Sequence, residues 1–324
     1  MENLCESYDH FKTSMKEFLE KNPLTLYTFA AIGLGISTLK VCKSIRALYQ
    51  YTLRPAKDLQ TLYGNNWAVV TGATAGIGKG ISFELVRRGM NVLIIARDQQ
   101  KLLVTKKELE QFCEENRYEN RKFDTLCFDF NTHYTPEKIK EFETLCKHIE
   151  KVSILVNNVG VGGYGKFGEM DDHKIHSLIN VNITATTVVQ KIFTPKLLNN
   201  GKSGVIFVGS CVNESPYPNL AVYSATKAFV LQFANSIAEE YKDKLDVTTI
   251  KTSDVKTNMN SGKLLFAIDP DQHARGALDK LGHDTESHGH YIHAYRYFLA
   301  NSPISRHIVN YINQNRAIRA AKTQ

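Results

Sequence analysis

The 324-residue chain predicts an α/β fold, a doubly wound parallel sheet with helices on both faces, preceded by an apolar amino-terminal helix. Three observations predict it. Short β-branched runs alternate with long helical patterns, the rhythm of successive βαβ units. Four glycines crowd the stretch NWAVVTGATAGIGKG (residues 66–80) directly after the first apolar run. Apolar side chains make up 43% of the chain, enough to bury a sheet on both sides.

From the amino terminus, Phe11, Met15, Phe18 and Leu19 fall at i, i+4, i+7 and i+8, the stripe of an amphipathic helix suited to lie beside a membrane. The next stretch, LTLYTFAAIGLGISTL from Leu24 to Leu39, carries no charged side chain. As a helix it would rise roughly 24 Å, and about 29 Å if it runs to Cys42 with Lys40 snorkelling, against the ~27 Å core of a thin bilayer such as the endoplasmic reticulum. A membrane anchor is expected here; the alternative is a helix packed on the protein's own surface. Residues 1–21 mix five acidic side chains with three lysines, which is not the basic leader of a secretory signal. Lys40, Lys43, Arg46 and Arg54 follow the apolar run, so the positive-inside rule places the downstream chain in the cytosol. The expected organisation is an anchor with linker over residues 1–60, the linker near 50–64, and a second domain over 61–324.

Within that domain strands are expected at WAVVTG (67–72), NVLIIAR (91–97), DTLCFDF (124–130), VSILVNN (152–158), GVIFVGS (204–210), DVTTIK (246–251) and, on a weaker pattern, HYIHAY (290–295). Helices are read between them at 81–89, 100–116, 136–150 and 173–193.

Composition excludes several classes. The six cysteines are scattered without a CxxC pair, so neither a zinc knuckle nor a secreted disulfide framework is indicated. The net charge of +7 suits anionic partners such as nucleotide cofactors, acyl-CoA phosphates or acidic lipid, while no basic run is dense enough for nucleic acid. His283, His288, His290 and His293 lack the spacing of a metal-binding helix pair, and no metal is expected.

The glycines fall between the first strand and the first helix of a βαβ unit. Backbone N–H groups at a helix start hold a pyrophosphate without needing a cationic side chain, and glycine lets the backbone approach it. The pattern Gly72-x-x-x-Gly76-x-Gly78, the YSATK stretch with Tyr223 and Lys227, and Ser210 thirteen positions before that tyrosine together resemble the short-chain dehydrogenase/reductase family. Tyr223 and Lys227, at i and i+4, share a helix face.

The resemblance implies a Rossmann-like fold and a hydride-transfer site. Tyr223 would donate a proton to a substrate carbonyl that Ser210 polarises, and Lys227 would grip the nicotinamide ribose. Lys227 would also draw the phenol's pKa from about 10 toward 7, a preference of roughly 4 kcal/mol. Asn182 in INVNIT would hold a water connecting Lys227 to solvent; read alone, it is a polar residue in a helix. The implied cofactor contacts are Gly72, Ala75, Gly76, Ile77, Gly78, Asp129 in CFDF, Asn158 and Gly160 in NNVG, Tyr223, Lys227, Val255 and Thr257. Asn157 and Asn158 serve either the sheet or the cofactor. Arg97, just past the second strand, suits a ribose 2′-phosphate and favours NADP(H); the alternative is an exposed arginine before a helix-capping Asp98.

Further stretches, WAVVTGAT, ILVNNVG, VYSATK and GHYIHA with the apolar leader, resemble the branch of very-long-chain 3-oxoacyl-CoA reductases and 17β-hydroxysteroid dehydrogenases of types 3 and 12. That implies a membrane-anchored, NADPH-dependent reductase of the endoplasmic reticulum acting on a lipid or steroid carbonyl, with a homodimer left open. The other expectations are a catalytically idle NADP-binding partner protein and a soluble reductase of small carbonyl metabolites. One departure is Thr252 in KTSDVKTN, where the family usually has proline; loss of that rigid turn puts cofactor affinity in doubt. A substrate loop is expected from about Asn258 to Pro270, its GKLLFAI run apolar.

Overall fold

Proline costs a helix nothing at its first position, because the amide it lacks would have no partner there. Pro23 uses that licence to open the long apolar helix, following α1 (Glu2–Lys21) across the single break at Asn22. Helix α2 (Pro23–Leu48) runs on into a π-helical turn, Tyr49–Leu53. Among the described residues, Pro23–Leu53 is the one helix long and apolar enough to cross a membrane by length and composition, with a mean hydropathy of 1.4 and none of its apolar window buried. Its hydroxyls turn back on the helix, Thr28 donating to the Leu24 carbonyl and Ser37 to the Gly33 carbonyl, each at 2.8 Å. Such bonds leave an apolar surrounding no bare hydroxyl to solvate.

This computed structural model describes residues 2–214, 217–257 and 266–300. The chain divides into two units between Arg54 and Pro55. The second opens with a short helix, α3 (Leu59–Tyr63), inside the stretch expected to be a linker. Leu59 is 1% exposed and Tyr63 2%, so these residues belong to the core and not to a tether.

The sheet then builds strand by strand: β1 (Trp67–Thr71), α4 (Gly76–Arg87), β2 (Asn91–Ala96), α5 (Gln99–Asn116), β3 (Phe123–Cys127), α6 (Pro136–Leu145), β4 (Val152–Asn157), α7 (Asp172–Ile179), α8 (Ala185–Leu198), β5 (Ser203–Val208), α9 (Ala221–Glu240), β6 (Leu245–Ile250), α10 (Pro270–Lys280), β7 (Glu286–Ser287) and α11 (Tyr291–Ala300). The seven strands lie in the order β3-β2-β1-β4-β5-β6-β7, and every neighbouring pair is parallel. Parallel strands buried on both faces read as continuous apolar runs, as VSILVN and SGVIFV do here. Period-two alternation sends Val70, Ile94, Val156 and Ile206 to one face, under α3, α4, α5 and α10. Val69, Leu93, Leu155 and Phe207 go to the other, under α6, α8 and α9.

The seventh strand needs correction. Residues 290–295 do not form it; α11 begins at Tyr291, and the edge strand is the Glu286–Ser287 pair. Tyr291 and Tyr295 are both 54% exposed while His293 between them is buried, the four-residue spacing of a helix face, which the aromatic alternation of HYIHAY disguises. The 173–193 helix is also interrupted, by a π-helical turn at Asn180–Thr184. Most of the expected substrate loop, residues 258–265, lies outside the described residues.

Candidate active site

Because β1 is flanked by β2 on one side and β4 on the other, the connections after β1 and β4 run opposite ways and leave a crevice at the strands' carboxyl ends. Gly72 leaves β1 at a φ of 65° and Gly76 opens α4 at 55°, both in the left-handed region that a Cβ disfavours. At Gly78 the crowding expected from a phosphate is imposed by the chain itself: a Cβ there would lie 2.4 Å from Asn158 Nδ2 and 2.4 Å from the Gly72 carbonyl oxygen. Ala75 caps α4 in an extended conformation and Ile77 sits in its first turn. The leading amides of that turn have no intrahelical partner and, with the positive end of the helix behind them, would suit a bound anion.

Asn158 stitches the crevice closed from below. Its side chain donates to the Thr71 carbonyl at 2.7 Å and to the Gly72 carbonyl at 3.2 Å, while its own N–H donates to Thr71 Oγ1 at 3.0 Å. Asn157 faces away and donates to Gln190 Oε1 at 3.0 Å. Beyond β2, Arg97 is exposed, and no ion pair holds it among the described residues. Asp98 caps α5 by accepting from the Lys101 N–H at 3.1 Å, so the exposed arginine and the capping aspartate coexist. Asp129, also exposed, follows β3 and accepts from the Asn131 N–H at 2.9 Å.

On the far side of the crevice Ser210, Tyr223, Lys227 and Asn182 form one connected group. Ser210 follows the end of β5, and its hydroxyl sits close enough to the Tyr223 phenol to pull that group's pKa down. Lys227, one turn further along α9, is 6% exposed and donates to the Val208 carbonyl at 3.0 Å. Asn182, 1% exposed, sits in the π-helical turn, a feature frequent at functional sites. Its amide accepts from the Val161 N–H at 2.8 Å and donates to the Val161 carbonyl and to Thr226 Oγ1, both at 3.0 Å. Gly160 is wedged in front: a Cβ on it would meet Asn182 Oδ1 at 3.3 Å and Lys227 Nζ at 3.4 Å.

The electrostatics differ from expectation in one respect. Burial pushes the Tyr223 phenol up to about 12, with the Ser210 hydrogen bond pulling the other way. The Lys227 ammonium does not draw it toward 7; it lies 6.0 Å from the ring centroid and spends a proton on Val208, while burial pushes Lys227 itself down to about 8. Tyr223 is therefore held protonated, the state a proton donor needs, and Ser210 stands beside it as a second donor for a carbonyl oxygen.

The loop after β6 completes the wall. Val255 is buried and bridges to Ile268, and the Thr257 methyl lies 2.9 Å from where a Cβ on Gly76 would sit. Thr71 and Thr226 escaped the sequence reading. Thr71 follows no motif spacing, although its place directly before the glycine turn is a usable signal; Thr226, which passes Asn182's bond to the Tyr223 carbonyl at 2.7 Å, offers only its place inside YSATK.

The profile of the short chain dehydrogenase family matches residues 66–264. A very-long-chain 3-oxoacyl-CoA reductase of Caenorhabditis elegans is 34% identical over 250 residues, covering 75% of this chain and 77% of that protein. A protein of the same nematode carrying the name steroid dehydrogenase 1 is 32% identical over 280 residues, covering 83% and 82%. A solved short-chain dehydrogenase from Sphingobium yanoikuyae, in complex with NADPH, shares the fold with a TM-score of 0.59 at 24% identity, over 66% of this chain and 84% of that one.

Proposed function

The chain belongs to the short-chain dehydrogenase family, and we propose that it is a membrane-anchored reductase that uses NADPH to turn the ketone of a long-chain 3-oxoacyl-CoA into an alcohol. The observation that carries the reading is the placing of the Ser210 hydroxyl beside the Tyr223 phenol, with Lys227 buried one helical turn further on. The residues present fit the cofactor: Gly72, Gly76 and Gly78 have no space for a side chain and so keep bare backbone at the start of α4, and Arg97 is an exposed cation with no ion pair among the described residues. NADPH supplies the hydride when bound. Gly72, Ala75, Gly76, Ile77 and Gly78 would seat its pyrophosphate, Arg97 its 2′-phosphate, Asp129 and the Asn158–Gly160 turn its adenosine side, and Val255 and Thr257 the opposite wall. Ser210 orients and polarises the ketone oxygen, and Tyr223 delivers its proton there as charge builds up. Lys227 would hold the ribose and pass a replacement proton toward Tyr223, with Asn182 fixing the adjacent loop along the solvent route.

Acyl-CoA as substrate is supported by the nematode reductase, and a steroid ketone by the relative named a steroid dehydrogenase. Purified membranes with NADPH and a panel of long 3-oxoacyl-CoA thioesters and 17-ketosteroids decide between them; oxidation of NADPH with neither class would overturn the reading. Arg97→Ala is expected to lower the preference for NADPH over NADH about tenfold, the scale of one exposed charge-assisted contact. The apolar α2 supports an anchor in the endoplasmic reticulum with the site facing the cytosol. Release of the protein by alkaline carbonate would remove the anchor from this proposal.

A further inference from the structure

Thr252 occupies the place where the resemblance calls for proline, and here another device fixes the turn. Its N–H donates to the Ile250 carbonyl at 2.9 Å, and its own carbonyl accepts from the N–H of Cys211, next to Ser210, at 2.9 Å. Its hydroxyl lies 3.0 Å from Nε2 of His273 and 3.3 Å from the Ile250 carbonyl. Thr252 is 8% exposed and His273 wholly buried, with no partner at Nδ1. One tautomer pairs every proton: Nε2–H donates to Thr252 Oγ1, the hydroxyl donates to Ile250, and Nδ1 is left as a bare lone pair. The alternative would strand a buried N–H, which is costlier.

The placement links three parts of the site. His273 comes from α10, the helix whose Pro270 carbonyl lies 2.9 Å from where a Cβ on Gly80 of α4 would sit. The loop that Thr252 begins touches Cys211 at one end and, through Thr257, Gly76 at the other. We infer that His273 is a positioning residue for cofactor binding: acting through the Thr252 hydroxyl, it holds the loop after β6 in the fixed shape that a proline ring would impose covalently. The inference rests on the nucleotide-binding part of the function proposed above.

Its test is a titration of NADPH into the purified full-length protein, followed by nucleotide fluorescence. The variants are Thr252→Val, Thr252→Ser, His273→Ala and Thr252→Pro with His273→Ala. Thr252→Val, which keeps the shape and removes the hydroxyl, is expected to weaken binding about tenfold, the loss of one buried hydrogen bond, and His273→Ala by a similar factor. The KM for NADPH should rise in both while kcat at saturating nucleotide changes less. Thr252→Pro with His273→Ala should bind better than His273→Ala alone, the ring fixing the turn once no buried imidazole N–H is left without its acceptor. If the cavity left by His273→Ala prevents folding, Thr252→Val against Thr252→Ser, which keeps the hydroxyl, decides alone. Undiminished affinity in Thr252→Val, or a double variant no better than His273→Ala, overturns the inference. A wild-type protein that binds no NADPH overturns instead the functional reading beneath it.

Discussion

The two ends of the sheet carry polar clusters built from the same residue types, and they use tyrosine in opposite ways. At the amino ends of the strands, Tyr63 donates to Asp246 Oδ2 at 2.8 Å, and Lys202 approaches the same oxygen to 3.1 Å. Ser153 and Asn200 donate to the Tyr63 carbonyl at 2.7 and 2.8 Å. Burial and the Asp246 carboxylate drive the Tyr63 phenol far above its usual range, so its proton is fixed there. At the carboxyl ends Tyr223 is also raised by burial, but its hydroxyl pairs with Ser210 and the neighbouring cation is Lys227. On the function proposed above, the difference between a structural and a reactive tyrosine lies in the partner, a carboxylate for Tyr63 and a hydroxyl for Tyr223, and not in the depth of burial.

The sharpest way to break this contrast is to remove each hydroxyl in turn. Tyr223→Phe is expected to lower kcat for carbonyl reduction by about 10²–10⁴-fold with the fold intact, the usual contribution of a positioned general acid. Equal rates in the two proteins would take Tyr223 out of the chemistry. Gly78→Ala comes next: its Cβ has no space beside Asn158 and Gly72, and overpacking of this kind costs about 1–3 kcal/mol. Denaturant unfolding and NADPH titration should both register it, and a variant with unaltered binding would mean that the turn yields more easily than its geometry implies.

The third test uses pH. Lys227 has its folded pKa depressed from 10.5 to about 8, so between pH 8 and 10 the unfolded chain binds a proton that the folded chain lacks. The Lys227 contribution to stability should therefore rise with pH across that window by up to about 1.4 kcal/mol per unit, and the difference between wild type and Lys227→Met isolates it from the Cys146 thiol, which burial pushes up to about 12 and which works the other way above pH 9. Above pH 10 stability falls, because Tyr223, Tyr63 and Tyr134 keep their protons in the folded state when the unfolded chain has lost them. Urea midpoints measured across pH 7–11 give both slopes. The smallest effect on catalysis is expected at the other end of the sheet: Tyr63→Phe should lose about 1.5–3 kcal/mol of stability, the worth of a hydrogen bond to a charged group, and leave kcat unchanged. A fall in kcat there would erase the distinction drawn between the two clusters.

Elements that repeat a period were legible in the sequence, and those defined by a single contact were not. The strands inside the sheet announced themselves by runs of apolar and β-branched residues because both their faces are buried. The seventh did not, since two residues at a sheet edge carry no period, and a nearby aromatic helix imitated a strand. Helix α3 is five residues long, and only tertiary burial of Leu59 and Tyr63 distinguishes it from a tether. In the site, the shared helix face of Tyr223 and Lys227 was readable from their spacing, whereas Ser210 was readable only through the family resemblance, since thirteen positions across a loop fix no proximity by themselves. Thr71, Thr226 and His273 act through partners 85, 44 and 21 positions away, which spacing cannot reveal. The Tyr223 pKa also ran against expectation, since desolvation depends on everything packed around the phenol and not on the one lysine beside it.

The π-helical turn at Asn180–Thr184 has a consequence for what insertions and deletions this chain can tolerate. One residue gained or lost there would rotate everything downstream by about 100°, swinging Val189 and Phe193 out from under the sheet while Asn182 lost its hold on Val161. Core and catalytic loop are thus indexed to a single register, and its length is the one dimension of the helix pair that substitution elsewhere could not restore.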